Sequence, residues 1–127
     1  MKDIIKSIRN ARFVYVCGNG GSATTAEHFT NDLFSKGIKA ICLNSNTSIM
    51  TMIANDFGYQ YVFSKQLDLF ATDEDLLIAF SVSGESPNIL EAITFPNHIC
   101  IFGEEGESYA DAEDRHLKLA HKISKAL

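Results

Sequence analysis

Phe13-Val14-Tyr15-Val16-Cys17-Gly18-Asn19-Gly20-Gly21-Ser22 is the stretch whose reading decides the fold. Five apolar residues without polar alternation read as a strand covered on both faces, the habit of parallel sheets. The glycine-rich turn then feeds a helical pattern from Ser22 to Phe34. Strand, tight turn and helix open a βαβ unit. Three further apolar runs repeat the signal, at Ala40 to Leu43, Leu76 to Phe80 and His98 to Phe102. Helical patterns separate them at Ser48 to Asn55, Tyr61 to Phe70 and Ser86 to Ile93, with a short first helix over Ile4 to Ala11 and a last one from about Ala110. Strands alternating with helices imply a doubly wound α/β fold, a parallel sheet of about four strands flanked by helices. A flavodoxin-like order 2-1-3-4 sets the first and third strands side by side. The whole chain, 1–127, reads as one domain.

Composition narrows the partners. The chain has 127 residues and a formal net charge of −5. No basic cluster stands out, so a nucleic-acid partner is not expected. No apolar run approaches the ~20 residues that a membrane helix needs, so no membrane partner is expected either. The opening Met1-Lys2-Asp3-Ile4-Ile5 lacks the apolar core of a signal peptide, which predicts a cytoplasmic location. Cys17, Cys42 and Cys100 each sit in or at the end of an apolar run and read as buried, reduced thiols. Ile4, Ile5 and Ile8 form an apolar stripe on the first helix. The helices at Ser48 to Asn55 and Tyr61 to Phe70 carry more apolar side chains than one small sheet needs. Together they predict a homo-oligomer, dimer or tetramer.

The turn Gly18-Asn19-Gly20-Gly21-Ser22 suits an anion. Its glycines let backbone approach a ligand, and the helix start presents free N–H groups and a favourable dipole. It is not a Walker loop, since no Gly-Lys-Ser/Thr follows. The spacing Gly18-x-Gly20-x-x-Ala23 fits a dinucleotide fingerprint, but Asn44-Ser45-Asn46 stands where that motif wants an acid. A second hydroxyl-rich helix entrance follows the third strand, Ser81-Val82-Ser83-Gly84-Glu85-Ser86-Pro87-Asn88. Pro87 suits the first helical turn with Ser86 as N-cap. Two such loops flanking one crevice point to a phosphate-bearing ligand.

These motifs, with Glu27-His28-Phe29 and Ile53-Ala54-Asn55-Asp56-Phe57-Gly58-Tyr59, resemble the sugar isomerase (SIS) fold, and within it the phosphoheptose isomerase subgroup. The resemblance covers about residues 10 to 125 and is densest from Val14 to Ile93. It implies a phosphorylated sugar as substrate, with Ser22, Ser81, Ser83 and Ser86 on the phosphate. Asn19, Gly20, Gly21, Asn46, Asn55 and Asp56 are then implied to complete the substrate site. It further implies a homotetramer and a zinc site at His28, Asp32, Glu113 and His121. Asp32 stands where the family has Glu, Glu113 where it has Gln, and Asn46 where Asp is common. A further strand that the family carries before the last helix is missing.

Spacing supports part of that ligand set. His28 and Asp32, four apart, share one helix face, which suits either two metal ligands or a surface pair. Glu113 and His121 are eight apart, roughly 12 Å on a straight helix. Either the last helix starts after Glu113, or the two serve sites in different subunits. His116 rivals His121 but lies about 140° away round a continuous helix. Aldose–ketose isomerisation needs a base for the carbon acid and an acid for the oxygens. Asp32 is the expected base and His121 the expected acid, with Glu113 a substitute base. Three functions follow: a metal-assisted phosphosugar isomerase, a non-catalytic sugar-phosphate-binding or scaffolding module, and a nucleotide-binding domain.

Overall fold

The computed structural model describes residues 1–127. Four strands, β1 (Val14–Gly18), β2 (Ala40–Cys42), β3 (Leu76–Ser81) and β4 (His98–Phe102), pair in the order β2-β1-β3-β4. All three pairings are parallel, with Val14 opposite Ala40 and Leu76, and Leu77 opposite His98. The expected sheet and its order are therefore present.

Side-chain alternation sorts the core into two layers. Val14 and Val16 of β1 and Leu76, Ile78 and Phe80 of β3 face α1 (Lys2–Asn10), α2 (Gly21–Ser35) and α6 (Tyr109–Ala126). Tyr15 and Cys17 with Leu77 and Ala79 face α3 (Thr47–Asp56), α4 (Ser64–Phe70) and α5 (Pro87–Ala92). Every residue of β1 and β3 is buried, which explains their unbroken apolar runs. Phe29 of α2 meets Phe80 edge-on at 5.7 Å. Burying such a ring contributes about 1.5–3 kcal/mol.

Two expectations need correction. The helix expected over Tyr61 to Phe70 is divided into a 3-10 turn, Tyr59–Tyr61, and α4. Between them Val62 and Phe63 plug the core, and the Gln66 side-chain amide takes the Val62 carbonyl at 2.8 Å and the Leu43 carbonyl at 2.9 Å. Much of the stripe on α1 is used within the chain: Ile8 is buried, and Ile4 and Ile5, half-buried, pack on the chain's own core. The acidic stretch before α6 is tied down by side-chain bonds. Glu107 accepts two 2.9 Å hydrogen bonds from Arg115, which also reaches the Phe102 carbonyl. The Arg115 guanidinium, with the Glu104 amide, lowers the Glu107 pKa to about 2. This clamp sets α6 directly after β4.

At the amino-terminal edge of the sheet, the buried Asp75 carboxylate accepts from Arg12 Nε and Nη2 and from the Phe13 and Thr72 amides. No helix is long and apolar enough to cross a membrane.

Candidate phosphate and metal site

The loops after β1 and β3 open at the carboxyl edge of adjacent strands, where Gly18 pairs with Phe80. The Asn44 side chain holds the end of β1, accepting from the Gly18 amide at 3.1 Å and donating to its carbonyl at 2.7 Å. Asn19 and Asn88 tie the two loops together: each amide donates to the other's oxygen at 2.8 Å. Asn88 is 2% exposed.

The hydroxyls of the second loop have different duties. Ser81 Oγ accepts from the Gly84 amide and Ser83 Oγ from the Glu85 amide. Each keeps its own proton to donate. Ser86 occupies the N-cap position of α5 but its side chain makes no capping bond. The expected cap is absent, and Ser86 lines the cavity between the two loops instead. Gly84 is fixed by geometry, with φ +68° and a Phe102 ring where a Cβ would stand.

Ser22, Ser81, Ser83 and Ser86 line one cavity of about 150 Å3 with Asn19, Gly20 and Gly21. No Lys, Arg or His lines it, so an anion here would rest on amides, hydroxyls and the α2 dipole. Asn46, Asn55 and Asp56 lie elsewhere. Asn46 caps α3 by accepting from the Ile49 amide, and Asn55 donates to Asp56. Sequence reasoning did not place Tyr109 or Glu113 in this cavity, nor single out Asn44 and Asn88. Asn88 was signalled by a polar residue just inside a helix start, beside a serine loop. A larger hollow, about 540 Å3, lies at the opposite edge around Arg12, Asp73, Glu74 and Asn97. Its guanidinium is committed to Asp75.

A second cluster sits further along α2 and α6. His28 Nε2 and His121 Nε2 are 3.0 Å apart, and Asp32 Oδ2 is 3.5 Å from His28 Nε2. One ligand atom from each of the three residues falls within 4.8 Å of the others. Asp32 Oδ2 is buried without a hydrogen-bond partner. Two imidazole nitrogens and an orphaned carboxylate oxygen are a donor set that zinc accepts. His116 is excluded: it is buried, and its Nε2 donates to the Phe102 carbonyl at 2.7 Å. Glu113 is not in this cluster. Helix α6 is continuous through both positions, so within one chain Glu113 stays at the serine cavity.

The fold and the paired serine loops define a doubly wound α/β domain with a hydroxyl-lined crevice at the carboxyl edge of its sheet. The chain belongs to the SIS domain family, whose match covers residues 1–99. It is 43% identical over 95 residues to a phosphoheptose isomerase of Helicobacter pylori strain P12, a match covering 70% of this chain and 50% of that protein. Against the phosphoheptose isomerase of Campylobacter concisus strain 13826 it is 43% identical over 96 residues, 71% of this chain and 51% of the relative. The chain thus spans about half the length of the curated relatives it matches. Among solved structures, phosphoheptose isomerase GmhA from Neisseria gonorrhoeae superposes with a TM-score of 0.90 at 28% identity, covering 98% of this chain and 80% of that one. A phosphoheptose isomerase from Francisella tularensis gives 0.87 at 25% identity, with the same coverage.

Proposed function

We propose that the protein is a phosphosugar isomerase that interconverts sedoheptulose 7-phosphate and D-glycero-D-manno-heptose 7-phosphate in the cytoplasm. The observation that carries this reading is the contact of α2 with α6 at two levels. At one, Gly21 and Ser22 meet Glu113 beside the serine loops; at the other, His28 and Asp32 meet His121. Seven or eight residues separate the levels, roughly 11 Å of helix. That separation suits a ligand whose phosphate and reacting carbons lie at opposite ends of an extended chain. The relatives named phosphoheptose isomerase support the same choice.

In this reading Ser22, Ser81, Ser83 and Ser86 donate to the phosphate oxygens, and Asn19 and Asn88 keep the two loops in register. His28, Asp32 and His121 would hold zinc. When bound, zinc would supply Lewis acidity that stabilises negative charge on the sugar oxygens. Asp32 takes the proton from C1 and returns it to C2, while His121 gives a proton to O2 and takes the one on O1. The working protein is a homo-oligomer, dimer or tetramer. Leu69 at 79% and Phe34 at 76% exposure, with Met52, Phe57 and Phe70, support buried surface between subunits.

The test is turnover of sedoheptulose 7-phosphate by zinc-loaded protein, read by separation of ketose and aldose phosphates. Binding without turnover would move the protein to the second reading, a non-catalytic sugar-phosphate module. The shorter carboxylate at Asp32 favours that alternative.

A further inference from the structure

Glu113 is the one charged residue in the serine cavity, and it has the sign of the ligand. A Cβ built on Gly21 would collide with all three atoms of the Glu113 carboxyl group, so this group lies directly on the glycine turn. It makes no hydrogen bond or ion pair with another side chain. Half-exposed, it faces the amino-terminal end of α2, the same partial positive charge that would attract a phosphate.

We propose that Glu113 is a built-in competitor at the anion site, a specificity-determining carboxylate that occupies the α2 entrance and weakens dianionic ligands. This rests on the reading of the serine cavity as a phosphate site. Two like charges in one small cavity with no cation repel strongly, more so where protein replaces water. A dianionic phosphate must displace the carboxylate, whereas a singly charged or neutral ligand group has less repulsion to overcome. An amide at the same position keeps the shape and removes the charge.

The experiment titrates inorganic phosphate and sedoheptulose 7-phosphate into wild-type protein, Glu113→Gln and Asp114→Asn by calorimetry. Asp114 is exposed, does not line the cavity and controls for net charge. The expected result is at least tenfold tighter binding of both ligands to Glu113→Gln, about 1.4 kcal/mol, with Asp114→Asn unchanged. A merely structural glutamate would not give tighter binding when neutralised. Equal affinity in wild type and Glu113→Gln, or weaker binding in the variant, overturns the competitor while leaving the phosphate site standing. If neither protein binds either ligand, the phosphate reading falls and the competitor falls with it. A tightening shared by Asp114→Asn also overturns the proposal, since net charge would then account for it.

Discussion

Asn19 and Asn88, 69 residues apart, exchange two side-chain hydrogen bonds of 2.8 Å and so lock the loop after β1 to the loop after β3. Tyr59 adds a hydroxyl bond of 3.3 Å to the same Asn19 oxygen. A reciprocal amide pair uses one donor and one acceptor from each partner, so its geometry is specified from both sides. Loops held this way need no reorganisation when a ligand arrives between them.

Breaking that pair should therefore weaken the ligand more than it weakens the fold. Asn88→Asp offers a second acceptor where Asn19 needs a donor, so one bond is lost and two oxygens face each other. Phosphosugar affinity should fall by about 1–3 kcal/mol, read by calorimetry, with the circular dichroism spectrum unchanged. Undiminished affinity would show that the loops do not depend on this lock.

The serines should separate into two classes. The Ser86 hydroxyl makes no capping bond, so Ser86→Ala should leave thermal stability where it is and cost ligand affinity alone. A lost bond to a charged oxygen is worth ~1.5–3 kcal/mol. Ser83 also supports the Glu85 amide, so Ser83→Ala should lower both affinity and melting temperature. The double variant should bind phosphosugar least. Normal affinity in the double variant would remove these residues from the site.

The histidine pair has a metal test. Even an outer partner of a ligand is worth about 10–100-fold in metal affinity, and a ligand should be worth no less. His28→Ala should therefore lose zinc in equilibrium dialysis against a weak chelator, and Asp32→Asn should bind it less tightly. Phosphate binding should persist in both, because the serine loops lie at the other end of the α2–α6 contact. Asp32→Glu should preserve or raise turnover if a carboxylate here does chemistry. Full zinc retention by His28→Ala would dissolve the site.

The Arg12–Asp75 pair predicts an acid limit to stability. Burial opposes the Asp75 charge, but the Thr72 amide, Arg12 and the Phe13 amide outweigh it and hold the pKa below the ordinary 3.8. A carboxyl group with a depressed folded pKa contributes stability that is complete above the unfolded value. That contribution should fade as pH drops from 3.8 through the lower folded value. Denaturant titrations at decreasing pH should show the loss, and Asp75→Asn should flatten it. Asp75→Asn should also cost roughly 1–3 kcal/mol at neutral pH, by weakening bonds to buried amides. An unaltered acid profile in that variant would assign the pH dependence to other groups.

The strands, the sheet order and the two serine loops were legible in the sequence because each is a local signal. Phe13 to Cys17 and Leu76 to Phe80 are unbroken apolar runs because both faces of a central parallel strand are covered, and glycines and serines mark the turns that follow. The sequence also placed His28 and Asp32 on one helix face, since four residues make about one turn. It could not say which side of α6 would meet α2. That depends on how the Arg115–Glu107 clamp seats α6 after β4, a contact between groups whose charges look ordinary on paper. Only the tertiary structure decided that His121 meets His28 while His116 is spent in the core. It likewise decided that Glu113 presses on Gly21, and that Asn88 serves Asn19. A helix period fixes relative angles along one element, but the docking of two elements is settled by packing that no single segment encodes.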